Sequence, residues 1–185
     1  MGSPIAFVIH PEARNAPSSR SADLMLGEAC LLAKAIGLDV VHAEVIALTK
    51  LRPGSYFGTG VTGRLADLIE DFMSSDDAPV VIINTTLSPV QQRNLEIRIK
   101  AKVVDRTQLI LEIFGARAQT HAGRLQVELA ALSFQRSRLV RSWTHLERQR
   151  GGRGFLGGPG ERQIELDRRM IMERVIRIKA ELREV

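Results

Sequence analysis

Short apolar runs alternate with amphipathic stretches through the first part of the chain. Ile5–His10 (IAFVIH) reads as a strand and is followed by a polar stretch containing Pro11 and Pro17. Ser21–Ile36 carries apolar residues at helical spacing, starts at a possible cap at Ser18, Ser19 or Ser21, and stops at Gly37. Leu38–Leu48 is rich in β-branched residues and predicts a strand. A breaker segment, Arg52–Gly60, leads into a helix that runs to about Met73. Pro79–Asn84 is almost wholly apolar, the pattern of a strand buried on both faces of a parallel sheet. Ser88 and Pro89 supply an N-cap and a first helical residue for a helix to about Ile99. Val103–Asp105 is a last short strand, and Thr107 is placed to cap a helix to about Ala116. Such alternation predicts an α/β unit over residues 1–116, a small, mainly parallel β-sheet flanked by helices.

From residue 117 the period changes. Apolar residues fall at Leu125, Leu129, Leu132, Leu139, Trp143 and Leu146, and again at Ile164, Ile171, Val175, Ile178, Leu182 and Val185. Steps of four and three keep a stripe on one side of a helix, where it can close against a similar stripe. Arg136 and Arg168 interrupt the two stripes and are expected to snorkel or to pair with Glu128, Glu165 or Asp167. Between the stripes, Gly151–Gly160 holds six glycines and a proline, which no helix crosses. The pattern predicts an antiparallel two-helix coiled-coil hairpin over 117–185 with a glycine-rich tip at 149–160. Its first arm, His121–Gln149, would be about 40 Å long.

Charge follows the same division. Residues 1–116 carry a net charge of −2, whereas residues 117–185 carry +7, with 14 arginines and a single lysine. Guanidinium groups meet phosphate bidentately, so an arginine-rich arm points toward nucleic acid. Aromatic residues are only 4% of the chain, so charge rather than base stacking must carry such contacts. His145, Arg148, Arg150 and Arg153 flank the tip, Phe155 stands at its apex, and Gly151, Gly152, Gly154, Gly158, Pro159 and Gly160 leave backbone amides accessible. Basic flanks, bare backbone and an apolar apex suit folded RNA. These eleven residues form the candidate RNA-binding site.

Other chemistries find little support. One cysteine, Cys30, excludes an intrachain disulfide, and the four scattered histidines have no metal-ligand spacing. No run has the length of a membrane span and no signal-like start is present, so a cytoplasmic protein is expected. Gly58-Thr59-Gly60-Val61-Thr62-Gly63 is a GxGxxG string between a strand and a helix. With Arg93 and Asn94 it makes a candidate nucleotide site. There is no GxxxxGK[ST], no GxSxG and no catalytic constellation; no cofactor is expected in this chain.

Several strings carry a resemblance. RPxxYFGxG (Arg52–Gly60), LSPxQQRNLE (Leu87–Glu96), VxDRTxLILEIF (Val103–Phe114), RLQVELAxL (Arg124–Leu132), RLVRSWTHLERQRGG (Arg138–Gly152) and GPGExQxExDRR (Gly158–Arg169) resemble, in the same order, the N-terminal region of HflX GTPases. The resemblance implies an α/β subdomain and a helical hairpin that precede a Ras-like G domain, with GTP and magnesium expected only for that missing domain. It also implies partners: the large ribosomal subunit and its rRNA, reached by the hairpin tip, in the splitting or rescue of stalled ribosomes under stress. The chain is read as an isolated N-terminal region of such a protein. Two alternatives stay open, a nucleotide-binding domain, since the family's N-terminal domain is proposed to bind ATP, and a regulatory domain for the missing G domain. The chain departs from the family's usual pattern in three places. Val61 and Thr62 follow Gly60 where GxGK is usual, Thr85 and Thr86 stand where an acidic residue is common, and Arg162 replaces a threonine.

Overall fold

The computed structural model describes residues 4–14, 20–73, 79–149 and 159–184, with side chains up to 138 and from 166. The chain divides into two compact units, Met1–Ile113 and Phe114–Val185. In the first, four strands, β1 (Ile5–Ala13), β2 (Asp39–Leu48), β3 (Val80–Ile83) and β4 (Lys102–Asp105), form one sheet in the order β2-β1-β3-β4. All three pairings are parallel. Helices α1 (Ala22–Ala35), α2 (Thr59–Glu70), α3 (Pro89–Ile99) and α4 (Arg106–Arg117) make the crossovers and the exit from the sheet.

Each sheet face buries its own core. On one side Phe7, Ile9, Val81 and Ile83 of the strands meet Leu65 and Ile69 of α2 and Leu95 and Ile99 of α3. On the other, Ala6, Val8, Ile82 and Val104 meet Ala29 and Ala33 of α1 and Leu109 and Ile113 of α4. Both faces being covered is why the strands read as continuous apolar runs rather than as alternating ones. The exception is the edge strand β2, where Arg64 of α2 grips Glu44 through two bonds of 3.0 and 2.9 Å.

The caps explain where the helices start. Ser21 accepts a bond from the Leu24 amide at 3.3 Å, and Gly37, at φ +81°, turns the chain after α1. Ser88 and Gln91 form a reciprocal capping box on α3, with Pro89 in its first turn. Two expectations shift. β1 extends past His10 to Ala13, through Pro11. Ile9 directs its carbonyl to Asn84 beyond β3, and by strand alternation Pro11 faces the same side, where β3 has already ended. The missing amide of Pro11 therefore leaves no ladder partner unmet. The cap of α4 is Asp105, whose Oδ1 accepts from the Gln108 amide at 2.8 Å, and not Thr107.

The second unit consists of α5 (His121–Gln149) and α6 (Pro159–Glu184), which pack on each other. Leu125 of α5 and Val175 and Ile178 of α6 are buried. Glu128 of α5 bonds Arg174 of α6, and Arg136 meets Met172, so rising numbers on α5 meet falling numbers on α6. The two helices run in opposite directions over this stretch. Glu128 pairs with Arg174 rather than with Arg136 or Arg168, both of which are exposed. Arg136 instead places Nη1 3.2 Å from the Met172 sulfur.

Candidate functional site

The polar interior of the first unit lies at one edge of the sheet. The buried polar side chains among the described residues are His10, Ser55, Thr62, Asn84 and Asp105. His10 lies late in β1, opposite the end of β3; Asn84 directly follows β3 and Asp105 closes β4; Ser55 belongs to the turn between β2 and α2, and Thr62 to the first turn of α2. In open parallel sheets the carboxyl ends of the strands form the ligand-facing edge, and the strand order reverses between β1 and β3, where His10 and Asn84 meet.

Asn84 ties this edge together. Its Nδ2 donates to the Met25 carbonyl at 3.1 Å and stands 3.1 Å from His10 Nδ1, while its Oδ1 accepts from Arg106 Nη1 at 2.8 Å. A carbonyl on one side and a guanidinium on the other admit only one orientation of the amide. His10 Nδ1 must therefore be an acceptor, and the ring carries its proton on Nε2. Arg106 continues to Glu28 at 3.0 Å, and Glu28 lies 3.7 Å from Arg20. The polar line thus runs from His10 inside the fold to Glu28 at its surface.

The other side of the edge is a bridged turn. Arg52 and Tyr56 exchange backbone bonds of 3.0 and 2.8 Å, and Tyr56 takes a left-handed φ of 62°. That conformation is costly for a tyrosine and is held by its neighbours. The Tyr56 hydroxyl lies 3.3 Å from Thr85 Oγ1, and its ring packs edge-on against the fully buried Phe57. Asn94 donates to the Gly54 carbonyl at 2.6 Å and pins the same turn to α3.

Burial pushes the His10 imidazole below the usual histidine range, with Arg106 acting in the same direction against the Asn84 backbone and Glu12. The unfolded chain takes up that proton near pH 6.5, whereas the folded chain resists it. The His10 contribution is therefore complete above pH 6.5 and falls away as pH drops below it. Urea midpoints at about pH 7.5 and 5.5 should fall further for the wild type than for His10→Gln. Equal losses would remove His10 as the cause.

The sequence-predicted nucleotide residues lie at the start of α2 and on α3. Gly58 is the N-cap of α2 at φ −70°, and Gly60 lies in the helix's first turn. A Cβ added at either would meet nothing within 4 Å, so neither left-handed backbone nor crowding calls for glycine there. Asn94 is engaged with Gly54, and Arg93 is exposed on α3. The His10–Asn84–Arg106–Glu28 line went unread in the sequence. Its one available signal was a polar residue directly after, or late in, each apolar central strand. Of the candidate RNA-binding residues, His145 and Arg148 lie on α5 with their side chains outside the described residues. Pro159 and Gly160 open α6 rather than belong to a loop, as a proline in a helix's first turn allows. Arg150, Gly151, Gly152, Arg153, Gly154, Phe155 and Gly158 lie outside the described residues.

Residues 23–115 match the family described as GTP-binding GTPase N-terminal, and residues 117–185 match the GTP-binding GTPase Middle Region. Over 161 residues the chain is 55% identical to the GTPase HflX of Magnetococcus marinus, covering 87% of this chain and 36% of that protein. The chain belongs to the HflX GTPase family. It is also 43% identical to the Escherichia coli K12 GTPase HflX over 154 residues, 83% of this chain and 35% of that one. The chain thus spans about a third of the length of these curated HflX relatives. In three dimensions it is similar to a GTP-binding protein from the hyperthermophilic archaeon Sulfolobus solfataricus in complex with GDP. The TM-score is 0.58 at 16% identity, with 96% of this chain and 46% of that chain covered, a likeness of fold. The HflX-like strings now have physical readings here: Arg52–Gly60 builds the bridged turn, Leu87–Glu96 the capping box, and Asp105 the anchor of α4. Among the described residues no helix is long and apolar enough to cross a membrane, and no cluster of metal-ligating side chains forms.

Proposed function

We propose that this chain is the ribosome-binding region of an HflX-type GTPase. In this reading α5 and α6 form a coiled-coil hairpin whose glycine-rich tip, residues 149–160, presents His145, Arg148, Arg150 and Arg153 to the RNA of the large subunit. The GTPase chemistry, with its GTP and magnesium, belongs to a G domain in the full-length protein. Docking there would serve the splitting or rescue of stalled ribosomes in the cytoplasm. The observation that carries the reading is the +7 charge of residues 117–185, almost all arginine, in a unit of two antiparallel packed helices. Membership of the HflX family supports it. The first unit, at a net −2, is read as the platform for the arm.

Co-sedimentation with purified large subunits tests this directly. The chain should pellet with them and be released as salt rises, because phosphate contacts expel counterions. Arg148→Ala, Arg150→Ala and Arg153→Ala together should weaken binding about tenfold and flatten the salt dependence. Binding by the triple variant as tight as by the wild type would remove the tip from the interface.

A further inference from the structure

One side of α6 carries a line of five exposed residues: Arg168, Met172, Ile176, Lys179 and Arg183. Their spacing of four, four, three and four keeps them on a single stripe of the helix, about 22 Å long at 1.5 Å per residue. Met172, which meets Arg136 on one side, is 38% exposed, and Ile176 is 63% exposed.

The charges of α6 are sorted in a way that a merely solvated helix does not require. Its acidic residues in the described part, Asp167, Glu173, Glu181 and Glu184, all fall outside the stripe. Glu173 pairs with Arg169 at 3.3 Å and Glu181 with Arg174 at 3.7 Å, two arginines that also lie off it. Arg174 is further spent on Glu128 at 2.7 Å. Arg168, Lys179 and Arg183 form no ion pair among the described residues. Arg136 of α5, against Met172, brings a fourth cation to the margin. Between Arg168 and Arg183 the stripe thus carries three cations and no acid.

We propose that this stripe is a second docking surface, for double-helical RNA, separate from residues 149–160. About 16 Å of helix separates Arg168 from Lys179, and about 22 Å separates it from Arg183, so the cations stand in two groups with Met172 and Ile176 between them. Two rows of phosphates bordering a wide, shallow minor groove match that arrangement, with the apolar side chains against the sugars between the rows. No aromatic residue lies in the stripe, so stacking on a single strand is not its chemistry. The proposal rests on the RNA-binding reading above and adds a surface to it.

The test uses the whole chain carrying Arg168→Gln, Lys179→Gln and Arg183→Gln, with purified large subunits and with a fluorescent A-form RNA duplex as probes. Binding to both should weaken about tenfold near physiological salt, with a salt slope shallower by about two to three. The far-ultraviolet melt should be unchanged, because the three side chains are exposed. A second variant, Met172→Ser with Ile176→Ser, should weaken binding less and leave the slope as it is. A charge variant that binds both probes like the wild type, while the tip variant loses binding, overturns the stripe and leaves the tip standing. Loss confined to the serine variant and to subunits, with the duplex bound normally, assigns the surface to a protein partner instead. A wild-type chain that binds neither probe overturns both proposals.

Discussion

Asn84→Leu should cost about 3 kcal/mol of unfolding free energy, because one substitution strips partners from three groups at once. Leucine keeps the volume, so no cavity forms. What it removes is the donor to Met25 O, the donor facing His10 Nδ1, and the acceptor of Arg106. Asn84 is 4% and His10 6% exposed, so water replaces little of this. Arg106 retains Glu28 and partial exposure, so its share of the loss is the smallest. The three losses share one side chain and do not add in full. Urea unfolding followed by circular dichroism gives the number, and a loss below about 1 kcal/mol would mean that this line of bonds is not formed in solution.

Asp105→Ala should be of similar size, about 3 kcal/mol, for a different reason. The carboxylate is fully buried and serves two backbone amides: Leu87 at 3.2 Å, ahead of α3, and Gln108 at 2.8 Å, in the first turn of α4. Removing it uncaps α4, worth about 1 kcal/mol, and orphans a buried amide in the β3–α3 connection. Asp105→Asn keeps one acceptor and should recover about half. If alanine and asparagine prove equally mild in the same unfolding experiment, the fixing of β4 to both helices is not what Asp105 does.

These two residues mark where the sequence was legible and where it was not. Asp105 was visible as a polar residue closing an apolar strand, but which residue caps α4 depended on where the helix axis starts. Thr107 has the right chemistry and stands two residues too late. Asn84 was visible only as the residue that ended a strand. Its role needs His10, 74 residues away, and Arg106, 22 residues away, and no local pattern couples such distances. The candidate nucleotide glycines show the converse. A motif string was present, yet Gly58 and Gly60 adopt backbone conformations open to any residue.

By itself, the sequence determined the local elements. Short apolar runs and helical spacing near 3.6, with Ser21, Gly37, Ser88 and Pro89 as punctuation, placed the strands and helices to within a few residues, because these signals act over one or two turns. It likewise concentrated the arginines beyond residue 117, a property of composition alone. Only the tertiary structure decided which polar side chains share the sheet's carboxyl edge, since that follows from strand order and parallel register, set by packing on two faces. It also decided which cations of α6 are neutralised and which stay available. A charge on a helix acquires its meaning from the neighbour it reaches, and Arg174 has Glu128, on the other helix, whereas Lys179 has no ion pair among the described residues.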